Sequence, residues 1–284
     1  MVNLIKMEMH RMFKMKCFYV LWIVLAVSIL VTTNLNVSEW KSMTVAERQE
    51  IHEMATESIN EEEELDFGMY IVNPTEPTKE ISVFDTVFAN IKGKFILLLM
   101  VIFTILYSTA DISSGYIKNI AGQIRDRKSL IYAKSICLFF YTIFTMLFYI
   151  IVQMVSNKIW VGEIYWGNKK EFLIYMAIEC VLHFAFLVII MFIAILLRNN
   201  VFSMVLGVCM CMNILVMAYG IIDKVAYKLG FEKFHFINYT VTGRISLLGM
   251  EISQKAGGTA LIIALIFIVA SVMLAGIIFE KRDI

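Results

Sequence analysis

Glu179 and His183 lie four residues apart inside a long apolar run, and a carboxylate beside an imidazole could share a hydrogen bond or a proton. A helix places residues at that spacing on one face, about one turn apart. An acidic group near the middle of a membrane costs about 2.5–3.5 kcal/mol to insert, so Glu179 must face protein or water and have a partner. Three readings stay open for the pair: a polar contact between helices, the lining of a substrate path, and a proton relay. Asn213 and Gln153 lie in other apolar runs. Both read as interhelical hydrogen-bonding groups, each worth about 0.6–2 kcal/mol, and Asn213 is also a candidate, with Glu179 and His183, for lining a pathway.

Other chemistry is missing. A phosphate-binding loop needs GxxxxGK[ST], so that backbone N–H groups cradle the phosphates while Lys and Ser/Thr meet phosphate and Mg²⁺. Gly93-Lys94 is followed by Phe95 and has no such loop upstream. HExxH and GxSxG are absent, and the four histidines are scattered from His10 to His235. The five cysteines, Cys17, Cys137, Cys180, Cys209 and Cys211, lie in or beside apolar blocks and read as small packing residues. The expectation is a chain with no catalytic residues, no metal site and no cofactor of its own.

The elements that carry these residues are set by hydrophobicity. Sixty per cent of the chain is hydrophobic and 17% charged. Its apolar residues come in blocks long enough to cross a ~30 Å hydrocarbon layer at ~1.5 Å per helical residue. Pro74 and Pro77, the two prolines, both fall in one polar stretch, so every apolar block is free to be an unbroken helix. The reading is an all-α integral membrane protein with six transmembrane helices, at about 18–34, 95–110, 130–155, 172–197, 201–222 and 259–279. Residues 1–17 read as an interfacial amphipathic helix, with Val2, Ile5, Met9 and Met12 on one stripe and Lys6, His10 and Lys14 on another. An uncleaved anchor fits this segment better than a signal peptide, because VTTNLNVSEW offers a weak cleavage site. Lys92 and Lys94 are expected to snorkel from the second span to the interface.

Charge sets the orientation. Residues 33–94 hold 13 acidic and 5 basic side chains, whereas 111–134 hold 2 and 5. The positive-inside rule then puts 1–17, 111–134, 198–200 and 280–284 in the cytoplasm of a cell-membrane protein, with both termini inside. Outside lies the acidic segment 35–94, read as a small helical extracellular cap. Thr44 and Glu47 have capping-box spacing there, and Ser82 is a candidate N-cap for an amphipathic stretch bearing Ile81, Phe84, Phe88 and Ile91. Glu61, Glu62, Glu63 and Glu64 read as a solvated surface or as an attractor of a cationic substrate. Residues 223–258 read as an outer, re-entrant-like segment, with Gly257-Gly258 as a hinge into the last span.

Segment 111–134 is longer than a bare connection needs to be. It presents Lys118, Arg125, Arg127 and Lys128 to the cytoplasm, for anionic lipid or for a protein partner. The order Asp111, Gly115, Tyr116 to Asn119, then Arg125, Arg127 and Lys128, then Ala133 and Lys134, resembles the ATP-binding-cassette type-2 (ABC-2) permease subunits. Family members commonly carry Glu where this chain has Asp111. The likeness covers the whole chain in layout and about 25 residues in motif. The large first outer loop resembles the bacitracin- and lantibiotic-type export and immunity subgroup. The resemblance implies an ATP-driven transporter for an amphipathic or hydrophobic substrate such as an antimicrobial peptide. Two copies of a cytoplasmic ATPase subunit, holding ATP and Mg, would dock on Asp111, Gly115, Lys118, Arg125, Arg127 and Lys128 and on the N-terminal helix. A second permease subunit, identical or paralogous, would complete the pathway, with membrane lipids around it and no nucleic acid.

Two rivals stand beside this reading. A proton-coupled secondary transporter using Glu179 and His183 predicts inverted repeats and interrupted helices. No repeat is visible, and no span contains Pro. A non-transporting membrane sensor or assembly protein would instead use the acidic outer loop to bind a ligand.

Overall fold

Polar side chains at helix starts fix where the chain enters its long apolar segments. Asn168 accepts from the N–H groups of Lys170 and Glu171, and Asn199 from those of Val201 and Phe202. Ser82 and Asp85 form a reciprocal capping box, and Ser253 accepts from Ala256 N–H. Each satisfies donors that a helix start leaves unpaired. The computed structural model describes residues 1–60, 73–113, 127–214, 216–231 and 234–281, without the side chains of 55–60, 112–113 and 216–218. Glu61, Glu62, Glu63, Glu64, Gly115, Lys118 and Arg125 lie outside the described residues.

The helices are α1 (Val2–Lys14), α2 (Lys16–Ser42), α3 (Val45–Asn60), α4 (Val83–Lys92) and α5 (Phe95–Ser113). They continue with α6 (Lys128–Trp160), α7 (Lys169–Leu197), α8 (Asn200–Cys211), α9 (Val216–Lys228), a 3-10 turn (Phe236–Tyr239), α10 (Val241–Leu247) and α11 (Gln254–Glu280). No strand occurs among the described residues. Helices α2, α6, α7 and α11 are each long and apolar enough to cross a membrane. The pair α4 and α5, bent by 54°, makes a fifth candidate. The chain is thus an all-α, multi-pass membrane protein.

Contacts fix the direction of each helix. Lys134 of α6 meets Asp111 of α5, and Lys128 meets Glu280 of α11 at 2.7 Å, so these ends lie together. At the other end Lys41 of α2 donates to Trp160 O, and Val83 N–H donates to Tyr165 O. Helices α2 and α6 therefore run away from the end that holds α1, whereas α5, α7 and α11 run back toward it, and α1 and the end of α11 share one end of the bundle. Small residues let the helices approach. Ala260, Ala264 and Ala275 of α11 are buried, and a Cβ on Gly207 of α8 would lie 2.9 Å from Val101 Cγ1. Across α2 and α6, Trp22 stacks on Phe148 at 4.5 Å and donates to Thr145.

Several expectations change. The apolar run at 201–222 is not continuous. Helix α8 ends at Cys211 after about 18 Å of rise, and Asn213 adopts φ 57° before the chain resumes as α9. Lys94 does not snorkel: it is 1% exposed with φ 56°, at the bend between α4 and α5. Lys92 keeps partial exposure, its ammonium 5.3 Å from the Phe88 ring. Helix α4 is not laid on an outer surface, because every residue from Val83 to Ile91 except Asp85 is buried. Gly257 and Gly258 sit inside the first turns of α11, with Gly257 against Ile178, and form no hinge. The buried line of α1 runs through Glu8 and Met12, while Val2 is 65% exposed.

Candidate functional site

Among the described residues the largest group of ion-paired side chains joins α1, α5 and α6. On α1, Glu8 and Arg11 are one turn apart, with Arg11 Nη2 2.8 Å from Glu8 Oε2. On α5, Tyr107 and Asp111 are also one turn apart. Tyr107 donates its hydroxyl to Glu8 Oε2 at 2.7 Å, and Arg11 pairs with Asp111. From α6, Lys134 Nζ lies 2.5 Å from Asp111 Oδ2 and 3.6 Å from Glu8 Oε2. Both cations also lie near the Tyr107 ring, at 5.1 Å for Arg11 and 5.0 Å for Lys134. Glu8, Asp111 and Lys134 are at most 1% exposed.

Among the described residues two carboxylates face two cations, and each carboxylate meets both cations. Buried ion pairs hold only when desolvation is repaid by close geometry and further hydrogen bonds, as the tyrosine provides here. The cluster links α1 directly to α5 and α6, the two helices that bracket residues 114–127.

A second polar cluster lies where two apolar runs are interrupted. Lys94 donates to Asn213, and Cys211 Sγ lies 3.7 Å from Lys94 O. Glu179 and His183 of α7 are fully buried nearby, and the charges acting on Glu179 are those of His183, Lys92 and Lys94. His183 Nδ1 lies 2.8 Å from Glu179 O and 3.3 Å from Glu179 Oε2. A carbonyl oxygen only accepts, so Nδ1 carries the proton. The i, i+4 pair inferred from spacing is therefore in contact.

A third network is uncharged. Gln153 of α6 donates to Thr33 of α2 at 3.0 Å and to Asn157 at 2.8 Å, and it accepts from Asn90 of α4 at 3.1 Å. This ties three helices together by hydrogen bonds alone. At the same end of the bundle a pocket of about 660 Å³ opens between α3, α4, α7 and the segment before α11. Glu76, Glu80, Asp85, Glu171 and Glu251 line it, with His52 and Lys79. Lys79 is bonded to Glu76 at 2.7 Å, which holds its ammonium above the usual lysine range.

The candidate docking residues separate in the structure. Asp111 is inside the ionic cluster and not on a surface, while Arg127 sits at the start of α6. Lys128, one-third exposed, is bonded to Glu280. Glu8, Arg11, Tyr107 and Lys94 were not singled out from sequence as site residues. Glu8 was visible as the single acid in a basic segment, and Tyr107-Asp111 has one-turn spacing, but nothing in sequence says that they converge. Among the described residues no group of three or more His, Cys, Asp and Glu is placed to hold a metal ion. No protein-family model matches the chain, and no curated protein is similar to it.

Proposed function

We propose that this chain is the permease subunit of an ABC-2 type transporter, driven by a separate cytoplasmic ATPase. The observation that carries the reading is the Glu8–Arg11–Asp111–Lys134 cluster. It makes one body of the N-terminal helix and the two helices that bracket the basic segment 111–134. Such a body converts a push on the segment into movement of α5 and α6, which is what a chain without a phosphate-binding loop needs in order to use ATP held elsewhere. In this reading α1 is an interfacial helix at the inner surface, both termini are cytoplasmic, and the membrane is the cell membrane. Six spans result when α4–α5 counts as one and α8 with α9 as another, each broken near its outer end.

The substrate proposed is an amphipathic or hydrophobic molecule, such as an antimicrobial peptide, exported or cleared from the membrane. The acidic pocket between α3, α4 and α7 supports a cationic character for it, because five carboxylates surround one lysine and one histidine. ATP and Mg would be held by the two ATPase subunits, and a second permease, identical or paralogous, would complete the pathway. A proton-coupled transporter is the second reading, favoured by the interrupted helices and by the buried Glu179–His183 contact.

The test is co-purification of this protein with a P-loop ATPase encoded beside it. Wild type should retain the ATPase, and a variant with Arg125, Arg127 and Lys128 changed to Glu should lose it. Wild-type protein that binds no ATPase while catalysing proton-dependent flux would replace this reading by the second.

A further inference from the structure

Three residues other than glycine have positive φ among those described: Lys94, Arg198 and Asn213. Arg198 closes α7 at its end, an ordinary place for a left-handed residue. Lys94 and Asn213 instead interrupt apolar runs, and their side chains are bonded to each other. Left-handed backbone costs a lysine about 1–2 kcal/mol, so Lys94 keeps it only where the surroundings demand it. Broken helices at membrane depth persist only where protein buries them or where they line a water-filled cavity. Here both breaks are buried, Lys94 at 1% and Asn213 at 6% exposure, and Cys211 bonds across them to Lys94 O.

Helix α7 turns a polar face toward α4, where the Tyr175 ring lies 5.5 Å from that of Phe88, about two turns before the bend at Lys94. Tyr175, Glu179 and His183 follow one another at four-residue spacing on α7, each fully buried. Tyr175 OH, Glu179 Oε1 and His183 Nε2 have no hydrogen-bond partner among the described residues. Unmet groups of this kind gain strongly from water, and a chain that never hydrated them would gain nothing from having three in a row.

We infer that the Lys94–Asn213 bond is a gate between two helix breaks, and that its opening admits water to the Tyr175–Glu179–His183 face of α7. Closed, the gate ties the α4–α5 bend to the end of α8. Open, the two breaks separate, the lysine ammonium turns to solvent, and the carboxylate and imidazole hydrate. The gate requires only the multi-pass fold, so its failure leaves the ATPase-coupled reading standing, and the reverse also holds.

Cys211 reports the state of the gate directly. In a chain with Cys17, Cys137, Cys180 and Cys209 changed to Ala, reconstituted in liposomes, its labelling by a small cationic methanethiosulfonate reagent is timed. Labelling of the otherwise wild-type chain should be slow. Asn213→Ala removes the acceptor and should speed it at least about tenfold, the equivalent of about 1.4 kcal/mol off the closed state. Asn213→Asp gives Lys94 a charged partner and should slow labelling below the starting rate, a result that mere loosening of the fold does not produce. Arg198→Ala should change nothing. Equal rates for Asn213→Ala and the parent, or an Asn213→Asp chain labelled as fast as Asn213→Ala, would overturn the gate.

Discussion

Asp111→Asn leaves Arg11 and the buried Lys134 beside a single carboxylate among the described residues. Removing one partner of a buried ion pair costs about 3–5 kcal/mol, because the other charge stays desolvated. We expect a loss of that size in the thermal stability of the detergent-solubilised protein. The double variant Asp111→Asn, Lys134→Met restores the charge balance and should recover part of the loss. If the double variant is as unstable as the sum of its singles, the two residues do not act as a pair. Tyr107→Phe should cost less, about 1.5–3 kcal/mol, because only a hydrogen bond to a charged group is lost. At this scale the sequence was partly legible. Glu179 and His183 are in contact as their spacing implied, and Gln153 does bond between helices. Asp111 was visible as a charge at the end of an apolar run, but its partners Arg11 and Lys134 come from α1 and α6, which spacing within its own run does not reveal. Lys94 was misread because a lysine at a span end ordinarily reaches for water, and only the bend with its buried acceptor reverses that preference.

Helices were easier to read than the breaks between them, since caps are local and breaks depend on distant packing. Thr44 and Glu47 form the expected box: Thr44 N–H donates to Glu47 Oε2 at 2.7 Å and its hydroxyl donates at 2.8 Å. Those bonds hold the Glu47 carboxyl below the usual carboxylate range. The depressed value means that the cap stabilises α3 above the unfolded carboxylate pKa and fades as pH falls through the folded one. Thr44→Ala keeps the backbone bond but removes the hydroxyl one, so it should raise the Glu47 midpoint part of the way to its ordinary range, which a ¹³C titration of the glutamate carboxyls would detect. An unchanged Glu47 midpoint would mean the box does not form. Glycines give a sharper test. Gly258 has nothing within 4 Å of an added Cβ, so Gly258→Ala should be neutral or stabilise α11 by up to about 1 kcal/mol. A hinge at that position would instead make the variant inactive. Gly207 is the reverse case, because its added carbon would meet Val101 and Ile105 at 2.9 and 3.2 Å. Gly207→Val should lose about 1–3 kcal/mol or more through overpacking of α5 against α8.

Across the whole molecule, hydropathy located the apolar blocks, and the direction of each helix follows from contacts at the two ends of the bundle. Block length was a poorer guide than block existence. The run at 201–222 is apolar enough to read as one span, yet its first helix covers only Asn200–Cys211, where a left-handed Asn213 ends it. Segment 35–94 looked like a separate cap because it is polar on average. Its last ten helical residues are nonetheless packed into the bundle, where Asn90 and Thr86 find partners on α6. The proposed transport mechanism depends on the buried cluster acting as a rigid link between an ATPase and the spans. The most direct measurement is ATP hydrolysis by the reconstituted complex, comparing wild type with Asp111→Asn at equal amounts of bound ATPase. The account predicts that Asp111→Asn still binds the ATPase but loses most of the substrate-stimulated hydrolysis. Full stimulation with the cluster broken would contradict it.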